Sequence, residues 1–167
     1  MLTSTTRIIA AVVAAAVTLP LTAGAVTRTA TFDISMKIVA DCSISAAAMD
    51  FGQSQGMLST AVTTSSNISV TCTNTTPYNV GLNAGTGTGS SGTTRYMSGT
   101  GSSAGAVRFN LYQTPGAGAW GNTQGSDTMS GTGTGSLQTL TVYGEIPAQA
   151  TPAPDTYKST VTATVYF

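Results

Sequence analysis

The feature that most constrains this chain is the alternation over residues 26–38. Val26, Ala30, Phe32, Ile34, Met36 and Ile38 fall on one face, and Thr27, Thr29, Thr31, Asp33, Ser35 and Lys37 on the other. Arg28 is the one exception. A helix would scatter these apolar side chains round its axis, so a period of two predicts a long half-buried strand. Shorter runs of the same kind follow: Asn67-Ile68-Ser69-Val70-Thr71-Cys72-Thr73, Tyr78-Asn79-Val80-Gly81-Leu82, Val107-Arg108-Phe109-Asn110-Leu111-Tyr112 and Leu137-Gln138-Thr139-Leu140-Thr141-Val142-Tyr143. A last strand is expected over residues 157–167, with Val161, Ala163, Val165 and Phe167 on one face. β-Branched and aromatic residues fill these runs, turn residues separate them, and none has a helical period. Ala46-Ala47-Ala48 fits a short turn. The pattern predicts an all-β, antiparallel β-sandwich.

The first residues indicate a destination. Arg7 precedes the apolar run Ile8-Ile9-Ala10-Ala11-Val12-Val13-Ala14-Ala15-Ala16-Val17, and Ala23-Gly24-Ala25 places small residues at a cleavage site. That order predicts a secretory signal over residues 1–25, since the run falls short of the ~20 residues a spanning helix needs. The remaining sequence divides into an N-terminal segment, residues 26–41, and one domain, residues 42–167. Cys42 and Cys72 are the only cysteines. An even count in an exported chain favours one disulfide, with a pair of buried thiols as the alternative. With no histidine to help, two thiolates do not complete a zinc shell.

Charge is scarce. Charged residues make up 7% of the chain, against roughly 25% in an ordinary soluble domain. Lys+Arg and Asp+Glu cancel at six each, so no basic field is available for nucleic acid. Polarity comes from Thr, Ser, Asn, Gln and Gly, concentrated in residues 84–105 and 114–136, where long loops are the default reading. No Gly-Lys-Ser/Thr follows in either stretch, so neither cradles phosphate. Arg95, Tyr96 and Trp120 interrupt them and are expected to anchor these loops by packing.

Catalytic constellations are missing from the sequence. The carboxylates are Asp33, Asp41, Asp50, Asp127, Glu145 and Asp155, scattered with no suggestive pair. Two Gly-x-Ser-x-Gly matches, centred on Ser54 and Ser103, do not lie between a strand and a helix and have no histidine to activate them. Asn67-Ile68-Ser69 and Asn74-Thr75-Thr76 read as strand and turn residues rather than glycan acceptors. The expectation is a protein that is not an enzyme, with no cofactor, no metal and no small-molecule substrate.

In order and spacing, several of these residues resemble a known family. Cys42-Ser43-Ile44 then Phe51-Gly52, Ile68-Ser69-Val70-Thr71-Cys72, Pro77-Tyr78-Asn79-Val80, Arg95-Tyr96-Met97, Leu111-Tyr112, Trp120-Gly121 and Thr141-Val142-Tyr143-Gly144-Glu145-Ile146-Pro147 are similar to the spore coat protein U domain family. One departure is local: where the family tends to show Gly before the late Tyr and Asp after it, this chain has Asp155 and Ser159.

The resemblance implies a subunit of an archaic chaperone–usher pilus, exported through the periplasm to the cell surface and supporting adhesion and biofilm formation. It implies an immunoglobulin-like sandwich that lacks its final strand, completed by the N-terminal segment of a neighbouring subunit. Donor-strand complementation of this kind is a recognised case of β-strand addition. Phe32, Ile34, Met36 and Ile38 are then the expected donor residues. Val161, Ala163, Val165 and Phe167 are the expected groove wall and chaperone-docking strand. The alternating segment lies ahead of Cys42, and no strand follows Phe167; both features suit that expectation. The implied partners are a periplasmic chaperone, an outer-membrane usher and identical or related subunits. Two other readings stay open: a self-complete secreted coat protein whose residues 26–38 fold back into its own sandwich, and a minor or tip adhesin that binds a surface through its Gly-rich loops.

Overall fold

The computed structural model describes residues 24–52, 56–102 and 104–167. The chain divides into two units, Met1–Met36 and Lys37–Phe167. From residue 24 to residue 41 no strand is formed and every residue is exposed. The strand expected over residues 26–38 is therefore absent from this chain on its own. A strand satisfies its N–H and C=O groups only against a partner edge, and alternation by itself provides none. Most of the predicted signal, residues 1–23, lies outside the described residues.

The second unit is built of β1 (Cys42–Ala46), β2 (Val62–Cys72), β3 (Pro77–Leu82), β4 (Arg95–Gly99), β5 (Ala106–Thr114), β6 (Ala117–Ala119), β7 (Met129–Thr132), β8 (Leu137–Ile146), β9 (Tyr157–Lys158) and β10 (Ala163–Tyr166). No helix occurs among the described residues. One sheet runs β1-β2-β8-β5-β4-β9 with β6 beside β5, and the other runs β10-β3-β7. All pairings are antiparallel, so the sandwich expected from the alternating runs is the fold observed.

Alternation assigns each strand its inner face. Ile68, Val70 and Cys72 of β2, Val107, Phe109 and Leu111 of β5, and Val142 and Ile146 of β8 point inward and are buried. Tyr78, Val80 and Leu82 of β3 meet them from the other sheet. β2 begins at Val62, ahead of the alternating run in the sequence, because its early inward positions are Thr64 and Ser66 rather than aliphatics.

The Gly-rich stretches differ from the expectation of plain loops, for they contain β4, β6 and β7. Two buried side chains hold them. Trp120 is fully buried and its Nε1 donates to the Val80 carbonyl at 2.8 Å. Arg95 is equally buried: Nη2 donates to the carbonyls of Leu82 at 2.8 Å and Trp120 at 2.6 Å, and Nε to that of Asn83 at 3.0 Å. One guanidinium thus satisfies carbonyls from two separate segments that a Gly-rich chain would otherwise leave unpaired. Burial pulls its pKa down to about 10, against the opposing influence of Asp127.

The strand expected over residues 157–167 is divided. β9 pairs with β4 in the larger sheet, whereas β10 pairs with β3 in the smaller one. Between them the chain crosses from sheet to sheet, held by side chains at and just ahead of the start of the first Gly-rich stretch: Thr160 N–H donates to Thr86 Oγ1 at 2.9 Å and Thr162 N–H to Asn83 Oδ1 at 2.9 Å. Unbroken alternation on one face concealed this change of partner.

Candidate functional site

β1 ends the larger sheet and β10 ends the smaller one, so each has an outer edge that no strand among the described residues pairs. Between the two edges an open groove of about 450 Å³ reaches into the sandwich. Its rim is formed by Ala46, Ala47 and Ala48 and, from the crossing before β10, by Ser159, Thr160 and Val161, with Ala163 of β10. Its floor is Ile68, Leu82, Phe109, Leu111 and Val142, all of them core residues. Core side chains from both sheets thus line the groove, each of them buried.

Local chemistry explains the rim. After β1 the chain leaves the sheet, and Ser66 Oγ lies at 2.9 Å from the Ala47 carbonyl and 3.0 Å from that of Ala48. This inward hydroxyl on β2 gives the departing backbone its partner in place of a ladder bond. Met49 and Phe51 then turn back onto the core, with the Phe51 ring edge-on to Phe109 at 6.5 Å. Gly144 makes the passage possible. A Cβ at that position would meet the Met49 sulfur and lie 2.8 Å from the Phe51 ring.

The residues singled out in the sequence take distinct places. Val161 and Ala163 line the groove. Val165 pairs with Val80 and packs half-buried against the core, while Phe167 lies beyond β10 and is 58% exposed. The expected wall is therefore only half in the groove. Phe32, Ile34, Met36 and Ile38 are 74–85% exposed. Sequence reasoning missed the opposite rim, Ala46–Ala48, together with Met49 and Phe51. The run of three alanines was the available signal, since small side chains beside an apolar run leave room for something else.

Cys42 and Cys72 are joined in a disulfide and are direct cross-strand partners in β1 and β2. The bond ties the first residue of the groove-edge strand to its neighbour. It closes a loop of 30 residues, which stabilises by about 3–4 kcal/mol in the loop-entropy account.

The carboxylates are not gathered. Asp41 accepts from Cys42 N–H at 2.9 Å, Asp50 from Gly52 N–H at 2.8 Å and Asp127 from Thr123 N–H at 2.6 Å. Asp155 accepts from Gly101 N–H at 3.1 Å and Thr156 N–H at 2.7 Å. Each of these acids ties loop backbone. Among the described residues no group of three or more His, Cys, Asp or Glu could hold a metal ion. Ser54 and Ser103, centres of the two Gly-x-Ser-x-Gly matches, lie outside the described residues.

Comparison with solved structures finds likenesses to this fold. One is a chain of the pre-assembly complex between the chaperone CsuC and the tip adhesion subunit CsuE, from the archaic chaperone–usher Csu pili of Acinetobacter baumannii. It is 21% identical with a TM-score of 0.57, and the match covers 78% of this chain and 40% of that one. The present chain thus spans less than half of that neighbour's length, and the likeness is one of fold. HdaB, the minor tip subunit of the E. coli Hda pilus, aligns at 15% identity and a TM-score of 0.38, over 75% of this chain and 79% of that one, too low to carry an argument. No curated protein matches the chain. The family described as Spore Coat Protein U domain matches residues 28–164. With most of its length inside that match, the chain belongs to the Spore Coat Protein U domain family.

Proposed function

We propose that this protein is a structural subunit of a chaperone–usher pilus, joined to its neighbours by donor-strand complementation. The observation that carries the reading is the open groove, whose floor is the hydrophobic core and whose two rims belong to different sheets. An apolar groove between unpaired strand edges is an aggregation hazard that a folded protein must cover. The alternating segment of a second copy has the matching shape: apolar side chains on one face and a backbone free to pair with β1 and β10. The chain order is then a removable signal (residues 1–25), a donor segment (residues 26–41) and a pilin domain (residues 42–167).

Magnitudes support a division of labour. Burying Phe32, Ile34, Met36 and Ile38 stabilises by about 1.5–3 kcal/mol each. Association opposes this by about 4–15 kcal/mol. The side chains alone roughly balance the cost of joining, so durable assembly rests on the backbone ladder added along both edges. Before assembly a periplasmic chaperone covers the groove, an outer-membrane usher exchanges it for the next subunit, and the finished fibre stands on the cell surface, where it serves attachment and biofilm formation. The role is structural rather than catalytic.

The test uses chaperone-bound subunit and a synthetic peptide of residues 26–38. The peptide is expected to release the chaperone and raise the subunit's Tm. A peptide that leaves both unchanged, at concentrations where a scrambled control is also inert, contradicts the proposal.

A further inference from the structure

The motif Tyr143-Gly144-Glu145 has two faces. Gly144 points inward and makes room for Met49 and Phe51, as described, while Tyr143 and Glu145 point out of the opposite face of the sheet. There they line a second concavity, an open cleft of about 460 Å³ that shares no lining residue with the groove. Strand register assembles it in two rows. Ser65 of β2, Tyr143 of β8 and Tyr112 of β5 are successive cross-strand partners, as are Thr63, Glu145 and Asn110. Pro115 and Gly116, in the turn between β5 and β6, wall one side.

The chemistry of this cleft is unlike that of other polar sites on the domain. Asp41, Asp50, Asp127 and Asp155 all accept backbone N–H groups. Among the described residues the Glu145 carboxylate has no hydrogen-bond partner, nor have the Tyr112 and Tyr143 hydroxyls or those of Thr63 and Ser65. Glu145, half-buried, is the only charged residue lining the cleft, and Arg108 on the same face of β5 does not line it. A carboxylate one row along the sheet from a cross-strand pair of tyrosines, with Thr63 beside it and Ser65 beside Tyr143, complements a cation that also carries hydroxyl groups. The carboxylate forms a charge-assisted hydrogen bond with an ammonium, and an aromatic face attracts the same ammonium.

We propose that this cleft binds a saccharide bearing a protonated amine, with Glu145 holding the ammonium and Tyr112 and Tyr143 flanking the sugar. Thr63 and Ser65 offer hydroxyls to the ring substituents. The inference does not draw on the groove, whose side chains face the other way through the same sheet.

The test is calorimetric titration of the full exported protein, in the assembly in which it is isolated, with three probes: a glucosamine trimer, an N-acetylglucosamine trimer and tri-lysine. The glucosamine trimer is expected to bind at least about tenfold more tightly than either of the others, the difference a charged hydrogen bond made jointly with hydroxyl contacts supplies. Glu145→Gln, with unchanged Tm, is expected to lose at least about tenfold in affinity for that trimer. Tyr143→Ala should weaken it too and Tyr143→Phe should largely restore it. No binding of the glucosamine trimer overturns the proposal. So does equal binding by Glu145→Gln, or tri-lysine binding as tightly, which would make the cleft a contact for basic protein segments instead. Because Glu145→Gln changes no packing, the proposal stays testable if Tyr143→Ala does not fold.

Discussion

Arg95 shows how much a single residue decides in a chain with so little charge. It is buried, holds the carbonyls of Leu82, Asn83 and Trp120, and has no rival for that work. Arg95→Met keeps much of the volume but leaves those acceptors unpaired in the interior. The expected loss is about 3–5 kcal/mol, read from denaturant unfolding of the variant against wild type. Tyr78 supplies a pH dependence. Burial raises its phenol above the ordinary 10.0, so the fold favours the neutral form. Its contribution is fully present below pH 10 and is lost as pH rises through the higher folded value. Stability is expected to fall on the alkaline side of pH 10, and Tyr78→Phe to flatten that fall, in thermal melts taken across the range. At this scale the sequence was informative where side chains are large and isolated. Arg95 and Trp120 stood out of Gly-rich stretches and are packing anchors, as expected. Gly144 was visible only as part of a motif, because what it makes room for arrives from residues 49–51, far away in sequence.

Elements were legible to the extent that their inward faces are aliphatic. The alternating runs became β2, β3, β5 and β8, whereas β4, β6 and β7 escaped notice because they are three to five residues long, lack an aliphatic alternation and lie within Gly-rich stretches. The last strand misled for a different reason. Its alternation continues across a change of sheet, so Val161 and Ala163 line the groove and Val165 does not, although all three pack half-buried against the core. This division sharpens the test of the groove wall. Val165→Asp changes a side chain outside the groove lining, so any loss it causes reports on packing rather than on docking. Val161→Asp is the informative change, expected to abolish chaperone co-purification and deplete the subunit from the periplasm. Normal yield with chaperone bound would contradict the assignment of Val161 to the docking surface.

At the scale of the whole molecule, the proposed function makes the segment from residue 26 to residue 38 of one copy and the groove of another complementary parts of one design. Alternation in the segment was the strongest signal in the sequence, yet the segment forms no strand in the isolated chain, since sequence shows which face is apolar and not whose edge it meets. The groove was less legible because it is a space between edges: its floor residues read as ordinary core, and only Val161 and Ala163 among its lining were anticipated. In that proposal register links the two parts, because a slip of one residue would turn every apolar side chain of the segment away from the core. A charge placed among those side chains should therefore abolish assembly through that segment while leaving the domain folded and able to bind its chaperone. The most direct measurement is an unheated SDS gel of surface extract from cells expressing wild type or Ile34→Asp. The account predicts a heat-sensitive ladder for wild type and none for the variant, and a wild-type ladder from Ile34→Asp would contradict it.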